Sequence, residues 1–311
     1  MSLTLVILAA GAGNRYGGLK PLVPLGPAGE TLLEYSAYDA LRAGFSRVVL
    51  VVRRESERAF RDRLDAGMAR HVALTYAHQT LDDLPAGCDL PPGRVKPWGT
   101  VQALLAAEPA VEGPLAVANA DDFYGADSFR AMSRFLREPR EPPPPALAVV
   151  GFEVARTLTD AGPVSRALCR LGGDGLLRDI VELRGIRRRG GRIVYRGAGG
   201  VEQALDGEAL VSMNLWGFPH DLLSELRDRF RGFLQRSGRD GEAEFLLPDA
   251  VRLLVREERA RVQVLRGSGP WCGVTFPEDR QRVAATLAAL VAEGRYPERL
   301  WAGRAQRGGG T

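Results

Sequence analysis

Short, uninterrupted apolar runs alternate with helically spaced ones through the first half of this chain. That alternation constrains the fold more than any other feature. Residues 4–9, 47–52 and 115–118 form the runs, and 72–77 reads as a further strand. A strand wetted on one face alternates apolar with polar residues, whereas a continuously apolar run is buried on both faces. Between the runs, segment 31–43 carries Leu32, Leu33, Ala37, Ala40 and Leu41 at helical spacing and stops at Gly44. Segments 54–64, 100–107 and 128–136 read as further helices. The predicted class is therefore α/β: a Rossmann-like, doubly wound, mostly parallel or mixed sheet with helices on both faces.

Four consecutive prolines, 142–145, interrupt the pattern as a stiff surface connection. Beyond them, strands are expected at 146–153, 165–171, 176–183, 192–195 and 210–218, joined by glycine turns. This β-rich half reads as a mixed extension of the same sheet. Helices return at 220–234 and 243–255, with a late strand at 261–265 and a closing helix at 278–293. The expectation is one domain over 1–302, with halves 1–140 and 146–302. Residues 303–311 lack apolar content and read as a disordered tail.

Composition excludes several classes. With 45% hydrophobic and 26% charged residues, the chain has the balance of a globular protein. The apolar run at 5–10 is too short to span a bilayer and no basic segment precedes it, so the expectation is a cytoplasmic protein with no membrane partner. Cys88, Cys169 and Cys272 stand far apart without a CxxC spacing, which supports neither a disulfide framework nor a cysteine zinc site. The net charge of +4 is mixed along the chain, and its densest basic cluster, 184–192, looks like a hairpin. Anionic small substrates account for that sign, and no nucleic-acid partner is expected.

Rare residues carry more information. Lysine occurs only at Lys20 and Lys96, among 42 lysines and arginines, and asparagine only at Asn14, Asn119 and Asn214. Arginine is a planar fork and lysine a compact point charge. In a chain so biased toward arginine, a surviving lysine marks a place where the fork does not serve.

Four of these five residues fall in loops that other signals select. In segment 8–26, LAAGAGNRYGGLKPLVPLG, a buried strand delivers the chain to Gly11 and Gly13. Glycines let backbone N–H groups approach an anion, and Arg15 and Lys20 add two cations, a set that suits a triphosphate. A dinucleotide fold would require G-x-G-x-x-G and an acidic end to the second strand. Here the third glycine comes one residue late and that strand ends in Arg53 and Arg54. A Walker loop would require Gly-Lys-Ser/Thr, which Gly18-Leu19-Lys20-Pro21 does not supply.

The loop resembles the signature of the sugar-1-phosphate nucleotidylyltransferases and related NTP-transferase-domain enzymes. NADDFYG at 119–125 looks like that family's metal-aspartate motif. Gln79 followed by Pro97-Trp98-Gly99-Thr100 looks like its base-reading segment, and VSMNLWGF at 211–218 like its acceptor strand. The resemblance spans roughly residues 3–280. It implies the nucleotidyltransferase fold with an acceptor-binding second half. It also implies transfer of NMP from an NTP to a sugar 1-phosphate or similar phosphorylated small molecule, with Mg²⁺ as cofactor.

By the same resemblance Arg15 and Lys20 are catalytic, and Ala10, Gly11 and Gly13 hold the nucleotide. Gln79, Gly99 and Thr100 read the base, Asp121 binds the metal with Asp122 as the alternative ligand, and Lys96, Glu182, Arg184 and Asn214 serve the acceptor. Plainer roles stand beside these: a helix cap for one of the aspartates, a surface position for Gln79 and a paired core glutamate for Glu182. Two departures stand out. Glu182-Leu183-Arg184 lacks the family's lysine, and Gly273 stands where many members carry a second metal aspartate, leaving Asp249 or Asp279 as substitutes. Alternatives are a cytidylyltransferase for phosphocholine or another alcohol phosphate, with Tyr124 and Trp216 as possible cage residues, and a regulatory nucleotide-binding protein without turnover. A homo-oligomer is one option for the assembly.

Overall fold

The computed structural model describes residues 2–11, 19–138 and 143–302. Gly13, Arg15, Asn14 and the tail expected at 303–311 lie outside these described residues. The expected strands form as β1 (Thr4–Leu8), β2 (Arg47–Val52), β3 (Ala73–His78) and β4 (Leu115–Asn119), all mutually parallel where they pair, with β3 at the sheet edge and only partly buried. Their order is β3-β2-β1-β4. The chain winds one way from β1 through β2 to β3, then returns to the other side of β1. The switch point therefore falls between β1 and β4, and a crevice opens beyond their carboxyl ends.

Helices α1 (Leu32–Arg42), α2 (Glu57–Leu64) and α3 (Thr100–Ala107) make the crossovers. Thr31 caps α1 in a capping box with Glu34, which fixes its start. Alternation along β1 sorts the two faces. Leu5 and Ile7 pack with Leu33, Ala37 and Phe60, whereas Val6 packs with Val101 and Leu104. The doubly wound expectation is thereby met.

A two-residue strand β5 (Asp122–Phe123) follows β4, and α4 (Ala126–Arg137) packs against α1. The second half adds β6 (Ala146–Glu153), β7 (Val164–Leu171), β8 (Leu177–Arg189), β9 (Arg192–Arg196), β10 (Glu202–Leu205) and β11 (Leu210–Phe218). Strand β11 runs antiparallel beside β4 and carries the sheet into the meander β7-β8-β9-β10. The basic cluster at 184–192 lies on the β8–β9 hairpin, as its glycines suggested. Helices α5 (Leu222–Ser237) and α6 (Leu247–Arg256) share the α3 face. Strand β12 (Arg261–Arg266) pairs with β6, β13 (Cys272–Gly273) pairs with β5, and α7 (Asp279–Ala292) closes a third, smaller core with Tyr35 and Tyr296.

Two expectations fail in detail. Strand β10 and the β5–β13 ribbon were not foreseen, because two to four residues carry too little pattern to read. The helix expected at 243–255 begins only at Leu247. Residues 243–246 instead run beside the Trp98–Gly99 turn, where Phe245 N–H donates to Trp98 O at 2.8 Å and Val101 N–H to Phe245 O at 3.1 Å. No helix among the described residues is long and apolar enough to cross a membrane.

Candidate active site

The crevice holds a pocket of about 530 Å³, a size suited to a small-molecule site. Lys20 reaches it from the segment that follows β1, Asn119 and the two aspartates from the end of β4, and Arg166, Glu182 and Asn214 from the β-rich half. Lys20 Nζ lies 2.5 Å from Asp121 Oδ2, with side chains 18% and 34% exposed. The pair is open enough for an entering anion and cation to divide it. Arg53 steadies the start of the loop, donating through Nε to Ala10 O at 3.0 Å and through Nη2 to Gly11 O at 3.2 Å. Sequence reasoning used Arg53 only to reject the dinucleotide fold and missed this positioning role.

Asp122 is buried behind Asp121. Burial first, and then the charge of Asp121, push its carboxyl above the ordinary aspartate range. Asn119 Nδ2 donates to its Oδ2 at 2.8 Å. Neither aspartate caps α4, whose N-cap is Gly125 with no side-chain bond. Gly273 faces Asp122 across the β5–β13 ribbon, and a Cβ there would lie 2.4 Å from Asp122 Oδ1. The buried carboxylate thus fills the space a longer residue at 273 would need. Asp279 is engaged within its own turn. It accepts from the backbone N–H groups of Thr275 and Phe276 at 3.0 and 2.8 Å and from Thr159 Oγ1 at 2.5 Å, and neither it nor Asp249 lines the pocket.

A β-bulge on β11 between Ser212 and Trp216 aims Asn214 into the site. Asn214 adopts φ 66°, a left-handed conformation that asparagine tolerates better than most residues. Glu182 lines the pocket; Arg184, 78% exposed, does not, and its Nε lies 3.3 Å from Glu182 Oε1. Lys96 also stands apart, with Nζ 3.0 Å from Glu244 and 3.4 Å from Glu242.

The segment chosen as base-reading is tightly strapped. Gln79 Nε2 donates to Gly99 O at 3.1 Å and to Gln102 Oε1 at 3.0 Å, so its amide already braces the turn. Gly99 has φ 103°, and a Cβ there would meet Phe245 O at 2.5 Å, so only glycine fits. Thr100 lines the pocket and its Oγ1 accepts from Leu247 N–H at 2.8 Å. Arg94 stacks 3.4 Å over the Trp98 ring and binds the carbonyls of Asp240 and Ala243.

Tyr124 and Trp216 form no aromatic cage. Both are wholly buried, with Tyr124 donating to Met213 O and Trp216 Nε1 to Asn214 Oδ1. Cys169 and Cys272 are buried, which pushes both thiols up to about 12, and all three cysteines are unpaired.

Among the described residues no three His, Cys, Asp or Glu side chains converge as a metal cluster. Asp121 nevertheless offers a pocket-facing carboxylate of the hard-oxygen type that Mg²⁺ takes. Mg²⁺ is commonly held by one or two carboxylates, with substrate phosphates and waters completing its shell. The donor set fits.

Comparison with known proteins agrees with this geometry. Residues 5–149 match the family of MobA-like NTP transferase domains. No curated protein matches the sequence significantly. Among solved structures, the chain is similar to the inositol-1-phosphate CTP transferase from T. maritima, at 15% identity and TM-score 0.59, covering 91% of this chain and 95% of that one. It is also similar to a UDP-glucose pyrophosphorylase complexed with UDP-glucose, at 15% identity and TM-score 0.58, covering 92% and 98%. At these identities the likeness establishes a shared fold along nearly the whole length.

Proposed function

We propose that this nucleotidyltransferase moves an NMP group from an NTP to a phosphorylated small molecule, a sugar 1-phosphate or close analogue, releasing pyrophosphate. The observation that carries the proposal is the Lys20–Asp121 pair, set in a pocket at the switch point of an NTP transferase domain. A triphosphate in that crevice would draw Lys20 to its leaving oxygens. Asp121 would hold Mg²⁺, which supplies charge neutralisation and orientation to the phosphate oxygens. The acceptor phosphate needs no general base, because its second pKa near ~6 leaves it a dianion at neutral pH. The protein's own work is then to hold the two anions in line and stabilise the departing charge. Lys20 and the backbone at Gly11 serve the donor, while Glu182 and Asn214 contact the acceptor. Gln79 supports base choice by bracing the Gly99 turn. Such chemistry suits a cytoplasmic enzyme organised as one unit, with donor half 1–140 and acceptor half 146–302.

The test is a pyrophosphate-release screen of four NTPs against phosphorylated sugars, cyclitols and alcohols with Mg²⁺. Release dependent on both substrates is expected. Tight NTP binding with no release from any pair would favour a regulatory nucleotide-binding protein instead.

A further inference from the structure

Arg166 is 9% exposed, yet it lines the pocket from β7. Its Nε donates to Thr157 Oγ1 at 3.3 Å, Nη1 to Ser165 O at 2.8 Å and Nη2 to Thr157 O at 2.6 Å. All three acceptors are neutral, and among the described residues no ion pair includes Arg166. Asp122 and Asp279 act on it only at longer range, against a burial that lowers its pKa to about 10. The group is therefore charged at neutral pH. A guanidinium carries five N–H donors in a fixed fork, so two remain after these three bonds. The Trp271 ring lies 5.1 Å away, beside one face of the fork.

A buried cation without a carboxylate partner is costly unless something anionic completes it. Among the described residues no carboxylate pairs with it directly. The cation expected for the acceptor phosphate is also missing from its expected place, since Leu183 is buried and Arg184 points outside the pocket. The geometry points to Arg166 as the residue that receives the acceptor's phosphate, its free N–H groups binding the dianion from the β-rich side while Lys20 serves the donor. This inference rests on the transfer reaction proposed above. It departs from the sequence expectation by moving the acceptor cation from β8 to its neighbour β7, where Ala167 pairs with Glu182.

The test uses inorganic phosphate as the probe, titrated into full-length protein pre-saturated with Mg²⁺ and a non-transferable NTP analogue. Arg166→Gln, which keeps a hydrogen-bonding end but no charge, should weaken phosphate binding at least about tenfold, as expected for loss of a charge-assisted fork. NTP-analogue affinity should stay within about twofold, and Arg166→Lys should fall between, as a point charge without the fork. A folded Arg166→Gln protein that binds phosphate like the wild type overturns the assignment, as does an equal loss of NTP-analogue affinity. Should that variant not fold, wild-type crystals grown with tungstate, a phosphate surrogate, decide. A peak on the Arg166 guanidinium supports the assignment and a pocket without one rejects it. A wild type that binds phosphate through Arg166 but no NTP would reject the transfer reaction while leaving the anion site standing.

Discussion

Asn119 and Asn214 bond to each other across the join between the two halves of the sheet, with Asn214 Nδ2 donating to Asn119 Oδ1 at 2.7 Å. They are two of the three asparagines in the chain. The contact continues from Asn119 to Asp122 and, through Asn214 Oδ1, to the buried Trp216 indole. The end of β4, which bears the aspartates, is thereby locked to the bulged strand β11.

Asn214→Ala should be strongly destabilising. It strands the Trp216 N–H and Asn119 Oδ1, and buried groups left unpaired cost about 1–3 kcal/mol each. It also places alanine at φ 66°, which costs a further 1–2 kcal/mol or so. Asn214→Gly should recover only the backbone part. Denaturant melts of the three proteins check this order, and equal stability of Asn214→Ala and wild type would contradict it.

Much of the fold was legible because the signals were long and local. The buried strands β1, β2 and β4 are apolar runs, and α1 carries its apolar residues at helical spacing and stops at Gly44. The Lys20–Asp121 meeting was legible as two motifs, although no local pattern states that residues 101 apart will touch. What escaped depended on tertiary crowding. Phe245 could not be read as a strap on Gly99, nor Gly273 as a glycine forced by Asp122. Arg166 was invisible for the same reason, being one arginine among many in the sequence.

The rare-lysine argument divides on inspection of the two sites. Lys20→Arg should lose at least about tenfold in kcat/KM, or roughly 1.4 kcal/mol of transition-state stabilisation, because a wider fork cannot occupy the position of Nζ beside Asp121. Lys96→Arg should stay within about twofold, since its partners are the carboxylates of Glu242 and Glu244 outside the pocket. Steady-state kinetics and melting temperatures of both variants make the comparison. Full activity in Lys20→Arg would remove lysine rarity as a guide to function in this chain.

Placing an aspartate at Gly273 should fail. A side chain there collides with Asp122 Oδ1 and with the Trp271 ring, 2.8 Å from the Cβ position. Overpacking of this kind costs about 1–3 kcal/mol. Trimming Asp122→Ala in the Gly273→Asp background should relieve part of the loss, a positive coupling that a double-mutant cycle in urea measures. Strict additivity would mean that the two positions do not contend for one space.

A separate pH effect is expected from Asp39 on α1. Burial raises its pKa to about 7, although Tyr296 donates to its Oδ2 at 2.7 Å. Among the described residues its buried Oδ1 finds no hydrogen-bond partner. In the unfolded chain an aspartate titrates near ~3.9. Between about pH 4 and pH 7 the folded state therefore holds a proton that the unfolded state has released, and this group's contribution to stability declines as pH rises. Asp39→Asn should abolish that decline, so its stability relative to wild type should improve between pH 4 and 7 and then level off. Melts across that range are the check, and a difference independent of pH would contradict the raised pKa.

The most direct measurement follows the phosphorus. With Mg²⁺, the preferred NTP and its phosphorylated acceptor, label on the α-phosphorus should appear in the acceptor product and label on the γ-phosphorus only in pyrophosphate. Excess chelator should stop both. Asp121→Ala should slow both by on the order of 10²–10³, as expected for loss of a key electrostatic group. Transfer of the γ-label to the acceptor, or undiminished turnover in chelator or in the Asp121→Ala enzyme, would contradict metal-assisted nucleotidyl transfer at the Lys20–Asp121 site.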